Sequence, residues 1–228
     1  MVPKSEFCVK GANMHGHRSR VLIADDHILL ADLCKRLLKV EFDVVGVVSD
    51  GRQLVQAAEG LKPDVIVVDI AMPILNGLDA GRIVKEALPG VRLVYLTMNP
   101  DPELAAEALL HGASGYLLKT CAASELVIAI REVLRGNSYL CSALSKDNVN
   151  SLIWKQKSIA EREERLTPRQ REVLQLLAEG KVMKEVGGIL NMSTRTVAFH
   201  KYRIMEVLGA KSNAELVRYA VRSHMVVA

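Results

Sequence analysis

The sequence predicts two domains in series: an α/β domain built on an open, doubly wound parallel sheet of five strands, then an all-α domain of four helices. Three observations carry this. Short apolar runs alternate with helix-length amphipathic stretches up to Leu140, and from there on only helical patterns recur. The charge also changes sign along the chain: residues 20–140 hold 12 Lys/Arg against 16 Asp/Glu, a net of −4, whereas residues 158–228 hold 12 against 8, a net of +4. At 228 residues, half of them hydrophobic, the chain can bury two cores.

The runs of the first half are Val21–Ala24, Val44–Val48, Val65–Val68, Leu93–Leu96 and Gly115–Leu118. Each is rich in β-branched residues or Leu and almost continuously apolar, as strands covered on both faces must be. Helices are expected near His27–Val40, Arg52–Leu61, Gly77–Leu88, Pro102–Leu110 and Ala122–Arg135. Asp101-Pro102 offers a side-chain cap followed by a proline whose missing N–H costs nothing in the first turn.

Residues 141–165 are polar, then strongly charged through Glu161–Arg165, and read as a linker with a short helix around Trp154. The expected division is an extension at 1–18, an α/β domain at 19–138, a linker at 139–162 and a helical domain at 163–228. In the last, Thr167-Pro168-Arg169-Gln170 is a capping box ahead of Val173, Leu174 and Leu177. Met183–Leu190 forms a short second helix. Ser193 caps a third helix with Val197, Ile204 and Leu208 on one face, and Gly209 stops it. Ser212-Asn213-Ala214-Glu215 reads as a second capping box, opening the fourth.

Several function classes fall away. No stretch approaches the length of uncharged apolar sequence needed to cross a membrane, and the charged first residues do not read as a secretory signal. Cys8, Cys34, Cys121 and Cys141 lack metal-ligand spacing and are expected as free thiols in a reducing cytoplasm. The basic second half suits a polyanion, though so small a surplus sets only non-specific attraction.

The chemistry gathers where doubly wound sheets place it, beyond the carboxyl ends of the strands. Asp25 and Asp26 follow the first run, Asp69 ends the third, Thr97 the fourth and Lys119 the fifth. Clustered carboxylates repel unless a cation joins them, and a hard divalent ion such as Mg²⁺ suits oxygen ligands. Any one of these acids alone would read as a cap or turn residue.

Asp25-Asp26-His27, Asp69-Ile70-Ala71-Met72-Pro73 with Asn76-Gly77-Leu78, Leu96-Thr97-Met98 and Gly112–Lys119 resemble the receiver domain of two-component response regulators. The resemblance covers residues 19–137. It implies that Asp69 accepts a phosphoryl group from a sensor histidine kinase. It further implies that Asp26, Asp69 and the carbonyl of Ala71 hold Mg²⁺, with Asp25 acting through water. Lys119 would pair with the phosphoryl oxygens, Thr97 would swing in to hydrogen-bond them, and Tyr116 would follow as a rotameric switch. Thr120 departs from the Asp or Pro common after the lysine, which alters the loop but not the phosphorylation set. An aspartyl-nucleophile phosphatase of the haloacid dehalogenase type would need a second Asp two residues after the nucleophile. Ala71 stands there, and the nucleophile falls on the third strand rather than the first, so the chain is not expected to be an enzyme.

Leu166–Leu174, Leu177–Gly180, Ser193–Val197, His200 and Leu208-Gly209-Ala210 resemble the LuxR-type helix-turn-helix over residues 163–226. With the receiver, this places the chain among NarL/FixJ-type response regulators, implying a cytoplasmic transcription regulator that binds double-stranded promoter DNA and forms a homodimer when phosphorylated. The helix from Thr194 would enter the major groove. Thr194, Arg195, Ala198, Phe199, Lys201 and Tyr202 would lie toward DNA, with core packing an open alternative for Phe199 and Tyr202. His200 reads as a helix-packing residue. Leu216, Val217, Ala220 and Val221 of the last helix would make the dimer contact. Gly187-Gly188 costs the second helix about 1 kcal/mol per glycine unless packing compensates. In the resemblance the unphosphorylated receiver covers the DNA face. An output domain that acts through protein partners instead of DNA is the alternative function.

Overall fold

The computed structural model describes residues 18–160 and 166–226. The expected extension up to residue 17 and the charged run Glu161–Arg165 lie outside the described residues.

The α/β domain alternates β1 (Arg20–Ala24), α1 (Ile28–Leu38), β2 (Asp43–Val48), α2 (Gly51–Leu61), β3 (Val65–Asp69), α3 (Gly77–Ala87), β4 (Arg92–Thr97), α4 (Pro102–Leu110), β5 (Gly115–Leu118) and α5 (Ala122–Leu134). Lys119–Cys121 forms a 3-10 turn between β5 and α5. All strand pairings are parallel, in the order β2-β1-β3-β4-β5-β6. The sixth strand, β6 (Tyr139–Leu140), corrects the expected five. Two residues are too few to show an apolar period, and β6 exists only because Tyr139 N and Cys141 N bond to the Ser114 and Tyr116 carbonyls beside β5.

Two cores cover the sheet. Leu22, Ile66, Val68, Leu93 and Tyr95 face α2, α3 and α4, whereas Val21, Ile23, Val65, Val67, Val94 and Leu96 face α1 and α5. This alternation along each strand is why the runs carry no polar residue. Capping sets the helix starts: Asp50, Asn76 and Asp101 accept from the N–H groups of Gln53, Asp79 and Glu103.

The span expected as a linker carries a longer helix than the short one expected around Trp154. Helix α6 (Lys146–Ala160) packs on α4, and Leu144 and Val149 are buried in the core that also holds Tyr116. Polar residues on the outer face of α6 mask this in the sequence.

The helical domain comprises α7 (Pro168–Ala178), α8 (Met183–Leu190), α9 (Thr194–Leu208) and α10 (Asn213–Arg222) around Val173, Leu174, Leu176, Val186, Leu190, Val197, Ile204, Leu216 and Ala220. Thr167 and Gln170 close the expected capping box. Ser212 caps α10, but Glu215 reaches back to the Lys211 N–H rather than to Ser212. Of the paired glycines, Gly187 is required. A Cβ there would stand 2.7 Å from the Met192 carbonyl oxygen, in the turn where Met192 N bonds to the Gly187 carbonyl. Gly188 meets nothing, so only its entropic cost remains.

Candidate functional site: an acidic pocket and a DNA-facing helix

The ends of β1, β3, β4 and β5 bring Asp25, Asp69, Thr97 and Lys119 together, all buried, with Asp26 partly exposed at the rim. Lys119 Nζ lies 2.7 Å from Asp69 Oδ2 and 3.1 Å from Asp25. Ala71 N donates to Asp69 Oδ1 at 3.1 Å, which holds the carboxylate against the start of the following loop. Gly77 lets α3 begin against this strand end, since a Cβ there would stand 2.0 Å from the Asp69 carbonyl oxygen.

Burial raises the Asp69 carboxyl above its ordinary range, and the hydrogen bond and charge of Lys119 offset this only in part. Asp25, Asp26, His27 and Asp69 offer ligand atoms that all lie within 4.8 Å of one another. Asp25 Oδ2 and Asp26 Oδ1 are buried without a hydrogen bond. Carboxylate oxygens of three residues gathered around a single point, beside Lys119 and His27, fit a hard divalent cation such as Mg²⁺. His27 joins the cluster with Nδ1 2.9 Å from Asp26 Oδ1 and 3.3 Å from Lys119 Nζ.

Thr97 Oγ1 accepts from Asn99 N at 3.1 Å. Tyr116 is fully buried, its hydroxyl 3.5 Å from the Asn99 carbonyl, and burial holds the phenol above its usual range. Both expected switch residues therefore meet the same loop, residues 98–101, which leads into α4.

In the helical domain Ser193 caps α9 through Thr196 N at 3.1 Å. Thr194 and Arg195 are exposed, and Ala198 and Lys201 are half-buried. Phe199 and Tyr202 are 67 % and 68 % exposed, which decides against core packing for both. His200 is half-buried with Nδ1 unpartnered, and its ring meets Phe199 edge-on at 5.8 Å. The expected dimer contact needs correction. Leu216 and Ala220 are buried in their own domain core and have no surface to offer, which leaves Val217 and Val221. A mean apolar pattern cannot tell an inward position from an outward one on a short amphipathic helix.

The expected covering of the DNA face also needs correction. The α/β domain docks on α7 and leaves the outer face of α9 open. Gln175, 1 % exposed, accepts from Asn76 N at 2.8 Å and from Asn76 Nδ2 at 3.1 Å, and it donates to the Met72 carbonyl at 3.1 Å. Arg171 Nε bonds to Asp79 at 2.6 Å, and Arg52 reaches Glu172 and the Ile189 carbonyl. Ile74 packs into the helical core while its N–H donates to Glu179 at 3.2 Å. Its φ of 71° is a strained conformation for a β-branched residue. The loop from Asp69 to α3 is thus held by the neighbouring domain. No helix among the described residues is long and apolar enough to cross a membrane.

Comparison with known proteins places both halves. Residues 21–131 match the response regulator receiver domain family, and residues 164–220 match the luxR family of bacterial regulatory proteins. The transcriptional regulatory protein MctR of Rhizobium johnstonii is 32 % identical over 204 residues, covering 89 % of this chain and 92 % of MctR. The oxygen regulatory protein NreC of Staphylococcus aureus is 33 % identical over 214 residues, covering 91 % of this chain and 99 % of NreC. Among solved structures, the RcsB response regulator of Salmonella typhimurium superposes with a TM-score of 0.57 at 28 % identity, over 89 % of this chain and 96 % of that one. RcsB from Salmonella enterica bound to promoter rprA in the presence of the phosphomimetic BeF3⁻ gives 0.55 at 27 % identity, over 89 % and 98 %.

Proposed function

The chain belongs to the NarL/FixJ-type response regulators, transcription regulators whose DNA binding is under phosphorylation control, and on that premise we propose that Asp69 is its phosphoryl acceptor. The observation that carries this is Lys119 Nζ, buried 2.7 Å from Asp69 Oδ2 and 3.1 Å from Asp25. It is one fixed positive charge where a phosphoryl group would add negative charge.

An Asp69 oxygen attacks the phosphorus carried by a sensor kinase histidine, the new O–P bond forms and the P–N bond breaks. Such transfer asks for in-line positioning and charge neutralisation more than covalent machinery. Asp25, Asp26 and Asp69, with the Ala71 carbonyl, would hold Mg²⁺, which supplies further neutralisation when bound. Lys119 then pairs with the phosphoryl oxygens. Thr97 gives up its bond from Asn99 and donates its hydroxyl to them, and Tyr116, already buried beside it, follows toward the space Thr97 leaves.

Output is DNA binding in the cytoplasm by a homodimer that forms on phosphorylation, and the protein itself is not an enzyme. Thr194, Arg195, Ala198, Phe199, Lys201 and Tyr202 face the major groove. Arg195 and Lys201 can reach phosphate or guanine, while Ala198 offers only apolar contact, as to a thymine methyl. Val217 and Val221 supply the apolar part of the dimer contact. The test is phosphorylation by acetyl phosphate with Mg²⁺. Wild-type protein should incorporate phosphate and Asp69→Asn none, and labelling that persisted in the variant would place the acceptor elsewhere.

A further inference from the structure

Cys121 closes the 3-10 turn that begins at Lys119, and Cys141 directly follows β6. Their sulfurs, with a carboxylate oxygen of Glu125, all lie within 4.8 Å of one another. Both are free thiols, and Thr120 Oγ1 stands 3.9 Å from Cys121 Sγ. The approach is built rather than accidental. Glu125, in the first turn of α5, accepts from Tyr139 Oη at 2.9 Å, from Ser142 N at 3.2 Å and from Ser142 Oγ at 2.6 Å. Those bonds clamp residues 139–142 against the turn that carries Cys121. They also occupy the carboxylate, so the cluster keeps two thiols for a metal, short of the four ligands of a closed zinc site.

We propose that Cys121 and Cys141 form a reversible disulfide, a thiol switch on the segment that carries Lys119. Cys121 is half-buried and open to an oxidant, whereas Cys141 is fully buried and can act only on its neighbour. With a hydroperoxide, the Cys121 sulfur attacks the terminal oxygen, the O–O bond breaks and an alcohol or water leaves, giving a sulfenic acid. The Cys141 sulfur then attacks the Cys121 sulfur, the S–O bond breaks and water leaves. Two thiols lose two electrons and two protons, and the hydroperoxide takes both. The neighbouring Cys141 thiol and partial burial hold the Cys121 thiol above its ordinary pKa, which slows both its attack on a mild oxidant and its departure when a reductant opens the disulfide. Cys34 takes no part: burial pushes its thiol up to about 11 within the core under α1.

The consequence rests on the proposed role of Lys119. A disulfide would tie the Lys119–Cys121 turn to the residues that lead into α6, which must shift together if Lys119 is to follow a phosphoryl group. Oxidised protein should therefore accept phosphate several-fold more slowly.

The experiment treats the full chain with diamide and counts free thiols after denaturation. The count should fall from four to two, with a cross-link between the tryptic peptides Thr120–Arg131 and Gly136–Lys146. Cys121→Ser should keep all three of its thiols, and Cys8→Ser should still cross-link. Four thiols remaining in the wild type, or a cross-link to Cys8 or Cys34, overturns the site. Slower phosphorylation that dithiothreitol reverses, absent in Cys121→Ser, supports the switch. An unchanged rate with the disulfide formed overturns the coupling. The thiol count needs no phosphorylation, so it stands even if Asp69 is not the acceptor.

Discussion

Asn76 donates its backbone N–H to Gln175 Oε1 at 2.8 Å, and through that bond the loop leaving the acidic pocket is fastened to the first helix of the DNA-binding domain. Asn76 also caps α3 through Asp79 N. One buried side chain of the output domain therefore completes the hydrogen bonding of the loop that begins at Asp69. Any shift of that loop should therefore be felt first at α7, not at α9.

Gln175→Ala should loosen the docking without unfolding either domain. Asn76 N and the Met72 carbonyl lose their partner while still buried, at a cost of about 1–3 kcal/mol. That corresponds to roughly a five- to 150-fold rise in the undocked population. Small-angle scattering should show a larger radius of gyration for the unphosphorylated variant than for wild type. Identical scattering would mean that Arg171–Asp79 and Arg52–Glu172 hold the domains by themselves.

Removing the Asp69 charge should stabilise the receiver when no divalent ion is present. Burial raises its folded pKa above the unfolded value, so the ionised form weakens the fold. That penalty is complete above the folded pKa and vanishes as pH falls below the ordinary carboxylate value. Asp69→Asn should melt higher than wild type at neutral pH, and the difference should close in acid. Mg²⁺ should raise the melting temperature of wild type more than that of Asp69→Asn. Equal shifts would move the cation away from Asp69.

The clustering of the acidic pocket was legible in the sequence because each of its residues sits at the end of an apolar run, where the topology fixes its place. Asp25, Asp69, Thr97 and Lys119 needed only the strands to be parallel and in the observed order. The Asn76–Gln175 contact had no such signal, since residues 99 apart in sequence meet there and a glutamine on an amphipathic helix reads as solvated. Glu125 was hidden likewise, as its three donors come from a two-residue strand and the turn after it. The recognition helix was readable in position, but its openness depends on where the receiver docks.

The two glycines of α8 should respond in opposite directions. Gly188→Ala adds a Cβ into open space on an exposed helical position and should stabilise the helical domain by about 1 kcal/mol. Gly187→Ala drives a Cβ to 2.7 Å from the Met192 carbonyl and should lower stability by moving α8 away from α9. Thermal melting of the two variants decides it, and equal shifts would remove the turn from the explanation.

Lys201→Ala should weaken binding to promoter DNA of any sequence. One lost phosphate contact lowers the slope of log affinity against log salt by about 0.9. A slope unchanged in the variant would turn Lys201 away from the backbone.

The last expectation concerns what docking restrains. Phe199, Tyr202, Thr194 and Arg195 remain exposed with the receiver seated on α7, so docking does not cover the groove-facing surface. At the other end His224, just beyond α10, lies 3.7 Å from Asp101 and 3.9 Å from Glu107 at α4, and Val217 of α10 keeps 37 % of its surface. Docking thus sets the end of α10 beside its own receiver while leaving α9 free, and it is expected to restrain pairing between protomers more than contact with DNA. Two recognition helices must sit about 34 Å apart to read half-sites one turn apart. Residues 158–228 and unphosphorylated full-length protein should bind a single half-site with similar affinity. On two half-sites, phosphorylation should raise affinity, and the gain should grow with protein concentration. If the isolated domain bound a single half-site tenfold more tightly, the receiver would be covering α9 in solution, and release of that face would be the controlling step.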